Sequence, residues 1–155
     1  MKALQLLFKP TDSCAPIIAR LVLGGVMFPH GAQKMLGWFG GYGFTGTMNA
    51  FTGAMHIPAV FAFLAIMAEF AGSLALMLGL LSRVAAFGIG TVMVVAILTV
   101  HGANGFFMNW YGNQKGEGYE YHLLALGLAA IVLIHGAGKM SLDALITRKL
   151  AQRPA

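Results

Sequence analysis

From Ile57 to Leu81 the chain reads IPAVFAFLAIMAEFAGSLALMLGLL, with Glu69 as its one charge and Ser73 as its one other clearly polar side chain. A helix that crosses a bilayer needs about 20 apolar residues, so this run is long enough, and Glu69 falls near mid-membrane. Three further apolar stretches share the pattern. The first spans about residues 14–34 and is interrupted by Arg20. The third spans 83–104, with VAAFGIGTVMVVAILTV as its uncharged core, and the fourth spans 119–138, with LLALGLAAIVLI as its core. The last two reach spanning length only if His101, His122 and His135 are drawn to the interfaces. The pattern predicts an all-α membrane protein: four transmembrane helices in one membrane domain covering 1–155, with a tail over 139–155.

The connections refine this picture. Little chain separates the second and third spans around Ser82, so these two must form an antiparallel hairpin. The segment Met35–His56 is long for a structureless loop. Met48, Phe51 and Met55 fall near one helical face of it, which predicts a short interfacial helix. A second long loop, Gly105–Gly118, carries FFMNWYGNQKGEG. Small residues (Gly24 and Gly25, Ala68 and Gly72, Ala86 and Gly90, Ala125 and Ala129) predict where the helices approach one another, because lipid supplies no hydrophobic drive between them.

Composition agrees: 58% of residues are hydrophobic and 10% charged, far from soluble averages. The net charge of +5 does not point to nucleic acid, because the basic residues sit at segment ends. With the N-terminus inside, Lys2, Lys9, Arg83, Lys139, Arg148, Lys149 and Arg153 lie on the cytoplasmic side, and only Lys34 and Lys115 lie outside. The positive-inside rule therefore predicts both termini in the cytoplasm. Met1–Lys9 is too short for a cleavable signal, so the first span is expected to insert and stay. The single cysteine, Cys14, and the absence of CxxC exclude a thiol–disulfide oxidoreductase that carries its own dithiol.

Candidate chemistry lies where polar residues interrupt the spans. At the helical period, Arg20 of the first span and Glu69 of the second differ in depth by roughly one turn. A structural ion pair between Arg20 and Glu69 would relieve two costly charges. At the outer end, His30 and Lys34 close the first span, His101 and Asn104 close the third, and Glu120 and His122 open the fourth. Histidines there can relay protons, and a carboxylate beside them can act as a tuned acid or base, although polar residues also collect at any membrane interface. Glu69, His101 and Glu120 are the candidates for proton transfer. Glu120 and His122, two apart on a helix, cannot both face inward. No metal is assigned. A haem is disfavoured, since His30 with His101 is the one pair at matching depth.

The ordered polar series resembles the DoxX family of small bacterial membrane proteins. It comprises Arg20-Leu21, Phe28 to Lys34, Glu69 to Gly72, Arg83, His101 to Phe107, Gly118 to Tyr121 and Gly138 to Asp143. The resemblance implies a four-helix bundle in the bacterial inner membrane and an association with quinone-linked oxidoreductases, and it favours Glu120 as the inward group. On that basis quinone is the expected redox partner molecule, bound by His30, Lys34 and Asn104, with Phe106, Phe107 and Trp110 capping its ring. No GxGxxG follows a strand, so no nicotinamide or flavin motif is present. Three functions fit: a quinone-linked oxidoreductase component, a non-catalytic anchor for a redox partner protein, or a small-molecule or proton-coupled carrier, which would need a homo-oligomer.

Overall fold

A computed structural model describes Thr11 and residues 13–152. Among these residues every regular element is helical. Helix α1 (Ala15–Leu36) has a proline in its first turn, where no helical N–H is lost, and stops at Gly37, whose positive φ of 73° ends the helix. The chain then folds back over this end. Gly41 lies so close to the backbone of Gln33 that a Cβ would not fit, and a short helix α2 (Gly43–Asn49) continues into a π-helical turn, Ala50–Ala54. The sequence placed a helix here.

Helix α3 (Ala59–Leu78) starts after Pro58 and stops at Gly79, φ 68°. Helix α4 (Ser82–Ala96) follows at once, so the hairpin is as tight as expected. It ends in a π-helical turn, Ile97–His101, and a 3₁₀ turn, Gly102–Asn104. Helix α5 (Glu120–His135) and helix α6 (Leu142–Ala151), which the sequence left as a tail, complete the order. By length and composition three helical segments can cross a membrane: Ala15–Leu36, Ala59–Leu78 and Ser82–Asn104. The fourth apolar helix, α5, has 16 residues and is about 24 Å long, short of the ~30 Å hydrocarbon core.

The four apolar helices pack in a ring, α1 on α3, α3 on α4, α4 on α5 and α5 on α1. Ala19, Leu23, Met27, Leu76, Ile89, Met93, Ala129 and Val132 fill its centre. Large apolar side chains such as Ile18, Phe61, Phe87 and Leu124 point outward. A bundle in lipid has this inside-and-out apolar character, and its close contacts run through small residues. Gly31 is the tightest: a Cβ there would come within 2.5 Å of the Phe70 Cα and 2.6 Å of the Glu69 carbonyl carbon. Gly24 meets the Ser73 carbonyl in the same way, whereas Gly25 faces open space.

The hairpin end is tied by two charged residues. Arg20 donates from Nε to the Ala137 carbonyl at 3.0 Å, from Nη1 to Leu76 and Met77 at 2.9 and 2.6 Å, and from Nη2 to Met140. Its charge thus sits on the last carbonyls of α3, the negative end of the helix dipole. Asp143 is 1% exposed. It accepts from the backbone N–H of Leu81 at 2.7 Å and of Ser82 at 3.0 Å, and so caps α4 from a distant part of the chain.

The expected Arg20–Glu69 pair is therefore corrected: Arg20 is spent on carbonyls, and Glu69 pairs with Lys34. The depth estimate measured each span from its own end and could not include the crossing of α1 and α3. Gly31 lets the backbone of α3 settle on the other half of α1, one turn from Lys34.

Candidate functional site

A cavity of about 1080 Å³ runs along the seam of α3 and α4 and reaches inward to α1 and α5. Most of its wall is apolar: Phe61, Leu64, Ala68 and Ala71 from α3, Val84, Gly88, Val92 and Val95 from α4, and Phe51, Met55 and Ile57 from the segment that crosses its end. The titratable residues gather at the end away from the hairpin. They are His30 and Lys34 from α1, Glu69 from α3, His101 after α4, Glu117 from the loop, and Tyr121 and His122 from α5.

Three contacts organise this end. Lys34 Nζ lies 2.5 Å from Glu69 Oε2, with the ammonium side chain 26% exposed and the carboxylate side chain 6% exposed. The His101 and His122 rings lie with centroids 4.2 Å apart. The Tyr121 hydroxyl donates to Met27 Sδ at 3.2 Å, and the Tyr121 ring lies 6.2 Å from that of His30. The π-helical turn Ile97–His101 shapes the second contact. Gly102 N–H reaches back to the Ile97 carbonyl, which widens the turn by a residue and rotates His101 from the position a continued α-helix would give it. His122 Nδ1 is buried with no hydrogen-bond partner, an orphaned polar atom of the kind that marks a site waiting for a polar group.

The loop above the site is clamped by two backbone bonds, Tyr119 N–H to the Gly105 carbonyl at 3.2 Å and Glu120 N–H to the Phe106 carbonyl at 2.9 Å. That clamp sets the Glu117 carbonyl over His101, whose Nδ1 lies 2.8 Å from it.

Several expectations change here. His122, not Glu120, is the inward residue: His122 is buried and lines the cavity, whereas the Glu120 carboxylate accepts from the Trp110 indole N–H at 3.2 Å, off the cavity. Helix α5 starts at Glu120, and its first turn presents His122 to α4. Phe106, Phe107 and Trp110 do not line the cavity. Trp110 is 80% exposed, and Phe106 packs edge-on against Tyr119. Asn104 does not line it either, because its side-chain amide donates to the Glu117 carbonyl at 3.1 Å. His30, Lys34, Glu69 and His101 all reach the cavity.

Tyr121, Glu117 and Asp143 have no site role in the sequence reading, although Tyr121 and Asp143 belong to the resembling series. Asp143 carried a signal, as the lone acid in a basic tail, and Tyr121 is one more polar group beside His122. Glu117 acts here through its main chain, which leaves no trace in side-chain pattern. Among the described residues no group of three or more His, Cys, Asp or Glu is placed to hold a metal ion.

A helical membrane bundle whose seam cavity ends in a cluster of titratable side chains is the class that fold and site define. The DoxX family model matches residues 15–102, more than half of the chain, and the chain belongs to the DoxX family. The match takes in Arg20, Lys34, Glu69 and His101, while the resembling segments at Gly118–Tyr121 and Gly138–Asp143 lie beyond it. Comparison with curated proteins finds no match, and neither does comparison with solved structures.

Proposed function

We propose that this chain is a quinone-handling component of a membrane oxidoreductase, set in a bacterial inner membrane with both termini cytoplasmic and α5 as a fourth, short crossing. The observation that carries the reading is the division of the cavity into a long apolar part along α3 and α4 and one polar end. A prenylated quinone has the matching form, an apolar chain attached to a ring with two carbonyl oxygens. At about 1080 Å³ the volume is just above the roughly 300–1,000 Å³ of pockets that take a drug-sized ligand, which leaves room for a chain. A bound quinone supplies the two-electron chemistry, which no side chain of this protein provides.

The residues divide the work by chemistry. Lys34 spends one of its three donors on Glu69 and keeps others for a carbonyl oxygen. Glu69 balances the ammonium charge in a dry setting. His101 and His122 hold or release a proton at the ring. Val84, Gly88 and Ala71 border the part that would take the chain. Electrons would be exchanged with a redox partner protein.

The test is extraction of purified protein for quinones, followed by equilibrium dialysis of the nanodisc-embedded chain against a short-chain ubiquinone. One saturable site per chain, weakened at least tenfold by Lys34→Met, supports the reading. The absence of both copurified quinone and saturable uptake would reject it and leave the anchor or carrier roles.

A further inference from the structure

His101 lines the polar end of the cavity, yet one edge of its ring is already committed. Its Nδ1 lies 2.8 Å from the Glu117 carbonyl oxygen. A carbonyl has no proton to give, so Nδ1 carries the hydrogen and donates. In a neutral imidazole that leaves Nε2, on the opposite edge, as a bare acceptor. The same carbonyl also takes a hydrogen bond from Asn104 Nδ2 at 3.1 Å. Asn104 is itself held from the other side, since Gly116 packs against it so closely that a Cβ would stand 2.7 Å from Nδ2. One backbone oxygen, gripped by two donors, thus fixes both the orientation and the tautomer of His101.

We infer that Asn104, through the Glu117 carbonyl, is the positioning residue that holds His101 with its proton on Nδ1, and that the bare Nε2 is the proton acceptor for a ring hydroxyl at the head of the cavity. The acceptor role rests on the quinone reading above; the tautomer lock does not. In the transfer, the ligand's O–H bond breaks, the Nε2–H bond forms, and both electrons of the broken bond stay on oxygen. The imidazole becomes a cation. Its neighbours then matter. His122 lies in ring contact from α5, and His30 and Lys34 approach from α1, so the proton enters an already positive cluster. Glu69 from α3 and the Glu117 carboxylate from the loop, which accepts the Asn109 N–H, oppose that charge. The His122 ring, in contact with that of His101, is the next group along this path.

The experiment uses full-length protein in lipid nanodiscs with ¹⁵N-labelled histidine, the His101 signal being assigned by its loss in His101→Gln. At a pH where the ring is neutral, the expected spectrum shows Nδ1 protonated and Nε2 bare. Asn104→Ala, and independently Gly116→Ala, should each move the tautomer ratio toward the Nε2-protonated form by about fivefold, the effect of one weakened hydrogen bond. Adding a short-chain quinol should shift the Nε2 resonance. A wild-type ring protonated on Nε2, or a ratio unchanged in both variants, overturns the lock. Quinol that binds by dialysis without moving Nε2 overturns the acceptor role alone. Quinol that does not bind removes the functional reading, and the acceptor role with it, while the tautomer measurement still decides the lock.

Discussion

Two basic residues interrupt α1, and they do different work. Lys34 neutralises a carboxylate, whereas Arg20 satisfies carbonyls. Removing Lys34 strands Glu69 in a site where its side chain is 6% exposed. Lys34→Met should therefore cost about 3 kcal/mol, the low end for a broken buried pair, because the ammonium itself is a quarter exposed. Lys34→Met combined with Glu69→Gln should recover most of that loss, and thermal unfolding of the four proteins in mild detergent measures the coupling. Arg20→Ala should cost more than Lys34→Met, because it leaves the Met77, Ala137 and Met140 carbonyls without their donor, while Leu76 keeps the Gly79 N–H, at about 1–3 kcal/mol for each that water does not reach. Arg20→Lys should not rescue it, since a single ammonium cannot reproduce the guanidinium fork. Arg20→Ala and Glu69→Ala should be additive within about 0.5 kcal/mol; strong coupling would reinstate the pair that the sequence suggested. The sequence makes clear that both charges need partners, because charge in an apolar run is legible without coordinates. It does not disclose which partner, because that depends on where two tilted helices cross.

The crossing itself is written in glycine. Gly31 lets α3 lie directly on α1, and Gly31→Ala should force Phe70 and Glu69 away, at about 1–3 kcal/mol for overpacking, and lengthen the Lys34–Glu69 contact. Reduced stability that Lys34→Met no longer worsens would show both effects at once. At the other end of α3, the hairpin depends on Leu81, whose φ of 48° is unfavourable for a branched side chain and is held by the Asp143 cap. Asp143→Ala should destabilise by about 2 kcal/mol, the upper part of the range for a lost helix cap. Asp143→Asn, which keeps one acceptor oxygen, should lose less, and melting temperatures order the series. Helix existence was readable from apolar runs, and the hairpin from the short connection at Ser82. The boundaries moved by a few residues: Gly79 and Gly136 stop α3 and α5 short of what hydropathy alone would extend, whereas α1 runs two residues beyond Lys34 before Gly37 ends it. The resemblance points Glu120 inward, but the first turn of α5 decides which residue meets α4 and presents His122, and the π-helical turn before His101 has no signature in apolar spacing.

At the scale of the whole molecule, a ring of four helices leaves its seams as routes in from the bilayer, and the α3–α4 seam is the one that holds the large cavity. In the proposed orientation the hairpin end with Arg83, Lys139, Arg148 and Lys149 faces the cytoplasm; Lys2, Lys9 and Arg153, which belong to the same count, lie outside the described residues. Arg148→Cys in a Cys14→Ser background should then react with an impermeant maleimide only in inverted vesicles, and labelling in right-side-out vesicles would reverse the topology. The cavity makes a separate demand. Its polar end draws on α1, α5 and the loop as well as on Glu69 and His101, whereas its apolar length is bordered mainly by α3 and α4. A ligand that enters from the lipid should therefore place its head and its chain on different helices, and the two should be separable by mutation. Ala71 is half-buried on the apolar stretch, two residues along α3 from Glu69, so Ala71→Trp fills the groove without touching the charged pair. It should weaken binding of a long-chain prenylated quinone at least tenfold, about 1.4 kcal/mol, and leave a short-chain analogue within about threefold. Lys34→Met should weaken both by similar factors, because the ring is common to them. Competition dialysis of the two quinones against the three proteins checks this, and an equal loss of both ligands in Ala71→Trp would mean that the seam is not where the chain lies.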